Sequence, residues 1–224
     1  MKGLILKDLL NLKGNVKFIL LFIIMFGFMS SLGDGNVNNF IGVIIVLCTT
    51  MIVSTFSYDD LNKWDSYVLT MPINRNDIVL SKYLTMLIFS FTGVLVSLIV
   101  SVTIGYFKNT LILNETLLIN ALILSISVCF GSLILPLIYK FGTERARLSI
   151  ILCFLVPTLA LLVFKSILEN ISSPISIEII LNTLVYSLPF VAILLFVISY
   201  FISSKIYSKK KYKIYYYMFL YLSI

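Results

Sequence analysis

An all-α, polytopic membrane protein is the fold class this sequence predicts, and three observations predict it. Hydrophobic residues fill 60% of the 224 positions and charged residues only 12%, where a soluble domain carries about 25% charged. Uncharged apolar runs of spanning length recur from one end of the chain to the other. These runs do not alternate, and they are longer than the roughly 10-residue strands of a membrane β-barrel. Lipid offers backbone groups no partner, so each run must close its own hydrogen bonds as a helix.

Six runs qualify as spans within a single transmembrane domain: Val16–Leu32, Phe40–Phe56, Tyr83–Phe107, Thr116–Tyr139, Leu148–Phe164 and Ile179–Ile202. Each matches the roughly 17–25 residues that cross the hydrocarbon core at about 1.5 Å per residue. Only Lys17 places a charge inside a run, and a charge at a span's centre costs about 2.5–3.5 kcal/mol. Ahead of the first span, residues 3–17 predict an amphipathic interfacial helix. Ile5, Leu9, Leu12 and Val16 share one helical face, with Lys7, Asp8, Asn11 and Asn15 opposite. Lys13, Gly14, Asn15 and Lys17 form the corner into span one, and Lys2, Lys7, Lys13 and Lys17 are the residues expected at the membrane surface.

Orientation follows from the basic residues. The N-terminal segment, residues 57–82, residues 140–147 and the C-terminal tail hold 15 of the 17 lysines and arginines, leaving only Lys108 and Lys165 on the other side. That asymmetry predicts cytosolic termini and accounts for the net charge of +7 without a nucleic-acid partner. The outer loops, Gly33–Asn39, Lys108–Glu115 and Lys165–Glu178, are too short to hold a domain, so function is expected in the bundle or on its cytosolic face.

Several chemistries are excluded by what the sequence lacks. There is no histidine, which removes most zinc hydrolase sites and Ser-His dyads. The three cysteines, Cys48, Cys129 and Cys153, fall inside predicted spans at spacings that fit no metal or redox motif and read as packing residues. No aspartate or glutamate lies within a predicted span, which disfavours an intramembrane aspartyl protease and a proton relay. A Gly-x4-Gly-Lys-Ser/Thr phosphate loop is absent, so the chain is not expected to hydrolyse ATP by itself. Pro136, Pro157 and Pro189 lie in spans four, five and six and are candidate hinges. Residues 203–224 are expected to be a cytosolic tail, and its Tyr-rich end, 214–224, is too short to span.

One stretch breaks the pattern. Residues 58–83, YDDLNKWDSYVLTMPINRNDIVLSKY, hold the only tryptophan and seven of the 27 charged residues. Tyr58–Met71 predicts a short helix with Leu61, Trp64, Tyr67, Val68 and Met71 on one side. Asp59 and Asp60 lie in its first turn, where the helix dipole favours anions, and Pro72 stops it. Trp, Tyr and Met favour protein interfaces. Asp59, Asp60, Asp65 and Asp77 cluster on a face otherwise rich in Lys and Arg, which argues for a protein partner over anionic lipid.

Phe56 to Tyr83, read as F-x2-D-D-x3-W-x2-Y-x2-T-M-P-I-x-R-x2-I-V-x-S-K-Y, resembles the segment after the second span in ABC-type permeases of the type-2 exporter class, closest to small bacterial permeases that export amphipathic cytolytic or antimicrobial peptides. The resemblance covers about 28 residues in motif and nearly the whole chain in layout. It implies a multi-pass subunit of the bacterial plasma membrane, working as a dimer with the same or a related chain. It also implies a separate cytosolic ABC ATPase that holds ATP and Mg, with no cofactor in this chain. Residues 57–82 would be the coupling segment, with Asp59, Asp60, Lys63, Trp64, Asp65 and Tyr67 contacting the ATPase and Arg75 and Lys82 fixing the return to span three. The second loop, KFGTERAR at 140–147, would add Glu144, Arg145 and Arg147. Two other classes stay open on the residues alone. One is a non-transporting immunity factor or scaffold that binds a cytosolic protein; the other is a secondary transporter driven by an ion gradient.

Overall fold

The computed structural model describes residues 2–14, 16–32, 38–68, 70–108, 113–143 and 177–209. They form α1 (Lys2–Asn11), a 3-10 turn (Leu12–Gly14), α2 (Val16–Leu32), α3 (Asn38–Leu61), α4 (Trp64–Val68), α5 (Arg75–Lys108), α6 (Leu113–Phe141) and α7 (Ile177–Lys209). Among the described residues every element is helical, and four helices are long and apolar enough to cross a membrane: Gly42–Leu61 in α3, all of α5, all of α6, and Tyr186–Lys209 in α7. α2 is apolar after Lys17 over its 17 residues. The expected span at Leu148–Phe164, with Pro157 and Cys153, lies outside the described residues.

Helix ends follow local chemistry. Asn74, two residues after Pro72, starts α5: its carbonyl accepts from the amides of Asp77 and Ile78 at 3.0 and 3.3 Å. Asp77 in the first turn and Lys108 in the last suit the helix dipole. α6 opens with Glu115 in its first turn and closes at Gly142, whose φ of 80° is open to glycine at no steric cost. α5 begins eight residues before the expected Tyr83, because the return segment is already helical. α3 likewise runs past Phe56 to Leu61, so Asp59 and Asp60 ride on a spanning helix.

α5 lies against α3, α6 and α7 and carries the core, and α6 also packs along α7. Small residues let the helices approach. A Cβ on Gly93 would stand 2.9 Å from the Cβ of Cys48 and 3.1 Å from the Cα of Ile45, and one on Gly131 would overlap the thioether of Met86. Hydroxyl rungs tie the same seams together. Thr49 meets Ser90 at 3.1 Å, and Ser97 donates to Asn120 at 2.5 Å. The Tyr83 hydroxyl lies 2.6 Å from Ser199 and 2.8 Å from Ser203, while Ser199 donates to the Ser132 carbonyl. The remaining surfaces of α5, α6 and α7 expose Phe, Leu and Ile broadly, as lipid contact requires. α6 continues through Pro136 and α7 through Pro189.

Candidate functional site

Six elements meet at one end of the bundle: α1, the end of α3, α4, the start of α5, the end of α6 and the end of α7. The expected single helix over Tyr58–Met71 is broken there. α3 stops at Leu61, and Lys63 takes a φ of 49°, a left-handed conformation that no α-helix continues through. α4 then restarts at Trp64 and lasts five residues. The break splits the expected apolar face. Val68 is fully buried and Trp64 half-buried against the core, whereas Leu61 and Tyr67 are 80% and 58% exposed. The Trp64 and Tyr67 rings stay close, with centroids 5.5 Å apart.

Beneath α4 lies a closed square of charge. Lys82 reaches Asp8 at 2.9 Å and Asp59 at 2.6 Å, and Lys7 reaches the same two carboxylates at 3.1 and 2.6 Å. Each lysine thus touches both aspartates, and the four charges cancel. Asp8, Lys82 and Asp59 are 1%, 4% and 8% exposed. Burying such groups is tolerable only when they are paired and hydrogen-bonded, and the remaining capacity is used: Lys82 also donates to Thr55 at 3.2 Å and lies 4.7 Å from the centre of the Phe56 ring. Lys7 lies 4.2 Å from the centre of the Trp64 ring. Three helices far apart in sequence, α1, α3 and α5, are therefore pinned at one point, and α4 rests on it through Trp64.

The rim of this end is tied as well. Thr143, after α6, donates to Asp60 at 2.6 Å. Arg75 donates to the Ser208 carbonyl at 2.7 Å, and Ser204 donates to Asn76 at 2.6 Å, joining α5 to α7.

Of the residues expected to meet a partner, Asp59 is turned inward onto two lysines. Asp60, Lys63 and Tyr67 remain at the surface, and Trp64 and Asp65 are half-buried. Glu144, Arg145 and Arg147 lie outside the described residues. Of the residues expected at the membrane surface, Lys2, Lys13 and Lys17 are exposed, but the Lys7 ammonium is committed to Asp8, Asp59 and Trp64. The packed face of α1 includes part of the face expected to be polar: Asp8 is buried with Leu4 of α1 and Leu12 of the following turn, while Leu9, expected on the apolar face, is exposed. The sequence assigns Lys82, with Arg75, to the return into span three and Asp8 to the polar face of the interfacial helix, whereas the structure buries both in the charge square. The signal in the sequence was the regular spacing of Asp8 with Leu4 and Leu12, together with a lysine set among the apolar residues Ile78, Val79 and Tyr83.

A bundle of apolar helices with hydroxyl-tied seams and one heavily charged end defines a multi-pass α-helical membrane protein. The family is more specific. This chain belongs to the ABC-2 transporter family: residues 3–208 match the family described as ABC-2 family transporter protein. No curated protein and no solved structure matches the chain.

Proposed function

We propose that this chain is the transmembrane subunit of an ATP-driven exporter, with its charged end in the cytosol and the surface around Leu61 and Tyr67 as the seat of a separate ABC ATPase subunit. Membership in the ABC-2 family supports the transporter class. The observation that carries the seat is the pairing of two large exposed apolar side chains, Leu61 and Tyr67, with a short helix whose other side is locked by Val68 and Trp64. A surface that receives force must protrude and must not yield, and this one does both. In this reading Asp60, Lys63, Asp65 and Arg75 form the polar rim. Glu144, Arg145 and Arg147 of the following loop extend it. ATP and Mg reside on the ATPase subunit, and a second permease chain completes the assembly.

Six spans in a bacterial plasma membrane, with both termini cytosolic and Lys2, Lys13 and Lys17 against anionic headgroups, complete this arrangement. The Ser/Thr-dotted, uncharged seams of α5, α6 and α7 suit an amphipathic peptide or a similar hydrophobic cargo, and Pro136 and Pro189 are the hinges proposed to let those helices move. Replacing both Leu61 and Tyr67 with alanine removes the exposed anchors and leaves the core intact. The ATPase subunit should then bind at least about tenfold more weakly, as for loss of a central aromatic anchor. Unchanged co-purification of the two subunits would place the seat elsewhere.

A further inference from the structure

α4 contains five residues, too few to hold a position alone, so its place is set by what it rests on. Among its contacts are those of Val68 in the core and of Trp64 beside the Lys7 ammonium. Lys7 is a flexible side chain near the surface of a ten-residue helix, and the ammonium is fixed because Asp8 and Asp59 hold it from two sides. Those carboxylates are held in turn by Lys82, two turns inside α5. Among the described residues the ring beside Lys82 is that of Phe56 and the ring beside Lys7 is that of Trp64, so the polar route from Lys82 to Trp64 runs through the shared carboxylates and Lys7.

We propose that Asp8 and Lys82 are positioning residues for α4: sharing two carboxylates, they fix the Lys7 ammonium under Trp64 and so set where the ATPase seat stands relative to α5. The inference rests on the reading of α4 as part of that seat. It adds a route. A displacement of α4 reaches α5 by way of α1, through charge pairs whose members can slide between two equivalent partners without any charge becoming unpaired. An apolar contact would also transmit force, but it would not fix one lysine by the position of another.

Trp64 is the only tryptophan, so its fluorescence reads the proposal in the full-length chain reconstituted in phospholipid vesicles. Lys7→Gln, which removes the ammonium beside the ring, calibrates the shift. Lys82→Gln, which touches nothing on the ring, should move the emission in the same direction and by a comparable amount. Asp8→Asn/Lys82→Gln is electrically neutral again and keeps the Lys7–Asp59 pair, but it lacks both positioning residues, so its emission should stay displaced from wild type. Asp8→Glu preserves every charge but lengthens one arm, and should shift the emission less than Lys7→Gln does. This last variant keeps the test open if Lys82→Gln does not fold. With the ATPase subunit added, Lys82→Gln should bind it about two- to fivefold more weakly, the worth of one cation–π contact.

Emission unmoved by either Lys82→Gln or Asp8→Glu, in protein where Lys7→Gln moves it, overturns the proposal. A purely structural square would lower the yield of folded protein and leave the emission of the folded fraction as in wild type, which overturns it equally. Failure of the wild-type chain to bind any ABC ATPase would instead remove the seat, while the fluorescence would still decide whether Lys82 positions Trp64.

Discussion

Removing a matched pair of corners from the charge square should cost no more than removing one corner alone. Lys82→Met deletes two ion contacts, at 2.9 and 2.6 Å, and the hydrogen bond to Thr55. It leaves Lys7 alone between two carboxylates, with one negative charge uncompensated. Asp8→Asn does the converse, leaving two ammoniums on Asp59. Breaking a buried ion pair from one side costs about 3–5 kcal/mol. The lower end applies here, because the Lys7 side chain retains 21% of its exposure and water relieves part of the imbalance. Each single variant is therefore expected to lose about 3 kcal/mol. The double variant keeps the 2.6 Å Lys7–Asp59 pair and neutrality, so it should also lose about 3 kcal/mol rather than about 6, a coupling of about 3 kcal/mol, at the upper end for residues in contact. Reversible unfolding in mixed micelles, followed by circular dichroism, measures all four species. Additive losses, agreeing within about 0.5 kcal/mol, would refute the idea that the four charges act as one unit.

Two further outcomes test the seams. Gly93→Ala should be the more damaging of two glycine substitutions, because its new methyl meets the α3 backbone and Cys48 Cβ, whereas the atoms nearest the methyl of Gly131→Ala belong to the unbranched side chain of Met86; a loss of about 1–3 kcal/mol for the first and under about 1.5 for the second is expected from unfolding in micelles, and the reverse order would contradict the packing. Tyr139→Phe removes a buried hydroxyl that has no hydrogen-bond partner among the described residues while keeping the ring contacts to Phe56 and Tyr207 at 5.2 and 5.4 Å; unfolding should show stability unchanged or raised by about 1 kcal/mol, and a clear loss would mean that the hydroxyl is satisfied by a group such as water.

The sequence announces the helices plainly, because lipid imposes a single rule on every run: stay apolar for the thickness of the core and satisfy the backbone internally. α5 and α6 obey it so fully that their existence follows from composition alone. Their ends do not follow, since a helix leaving the membrane is under no such rule. α3 keeps its hydrogen bonds to Leu61 and α5 starts at Arg75, well outside the apolar run. The site was legible as a place, through Trp64 and its neighbouring charges, but not as a geometry. Counting alternation on an isolated helix assigns Asp8 to water, because the count assumes that polar means wet. Asp8 is dry because Lys82 stands opposite it, 74 positions later, and no periodicity within either segment carries that information. The break at Lys63 was equally hidden, for lysine carries no preference for the left-handed region and nothing local marks it as a stop.

The same contrast bears on why charges occupy a spot that leucines could fill. Apolar residues of similar volume often pack as stably as a buried ion pair, so the square is not needed for stability. Apolar packing on α1 would also be permissive, because Leu6, Leu9 and Leu10 already lie exposed on its outer face, and a helix apolar on every side has no preferred rotation against the bundle. Asp8 narrows that freedom: with this face of α1 packed, only the orientation that meets Lys82 and Lys7 avoids burying a bare carboxylate. The square thus sets the rotation of α1, the rotation of α1 places Lys7, and Lys7 supports Trp64. A replacement of Asp8 and Lys82 by leucine and methionine should accordingly leave the bundle folded while releasing α4, a separation of stability from position that a purely cohesive role for the charges does not allow.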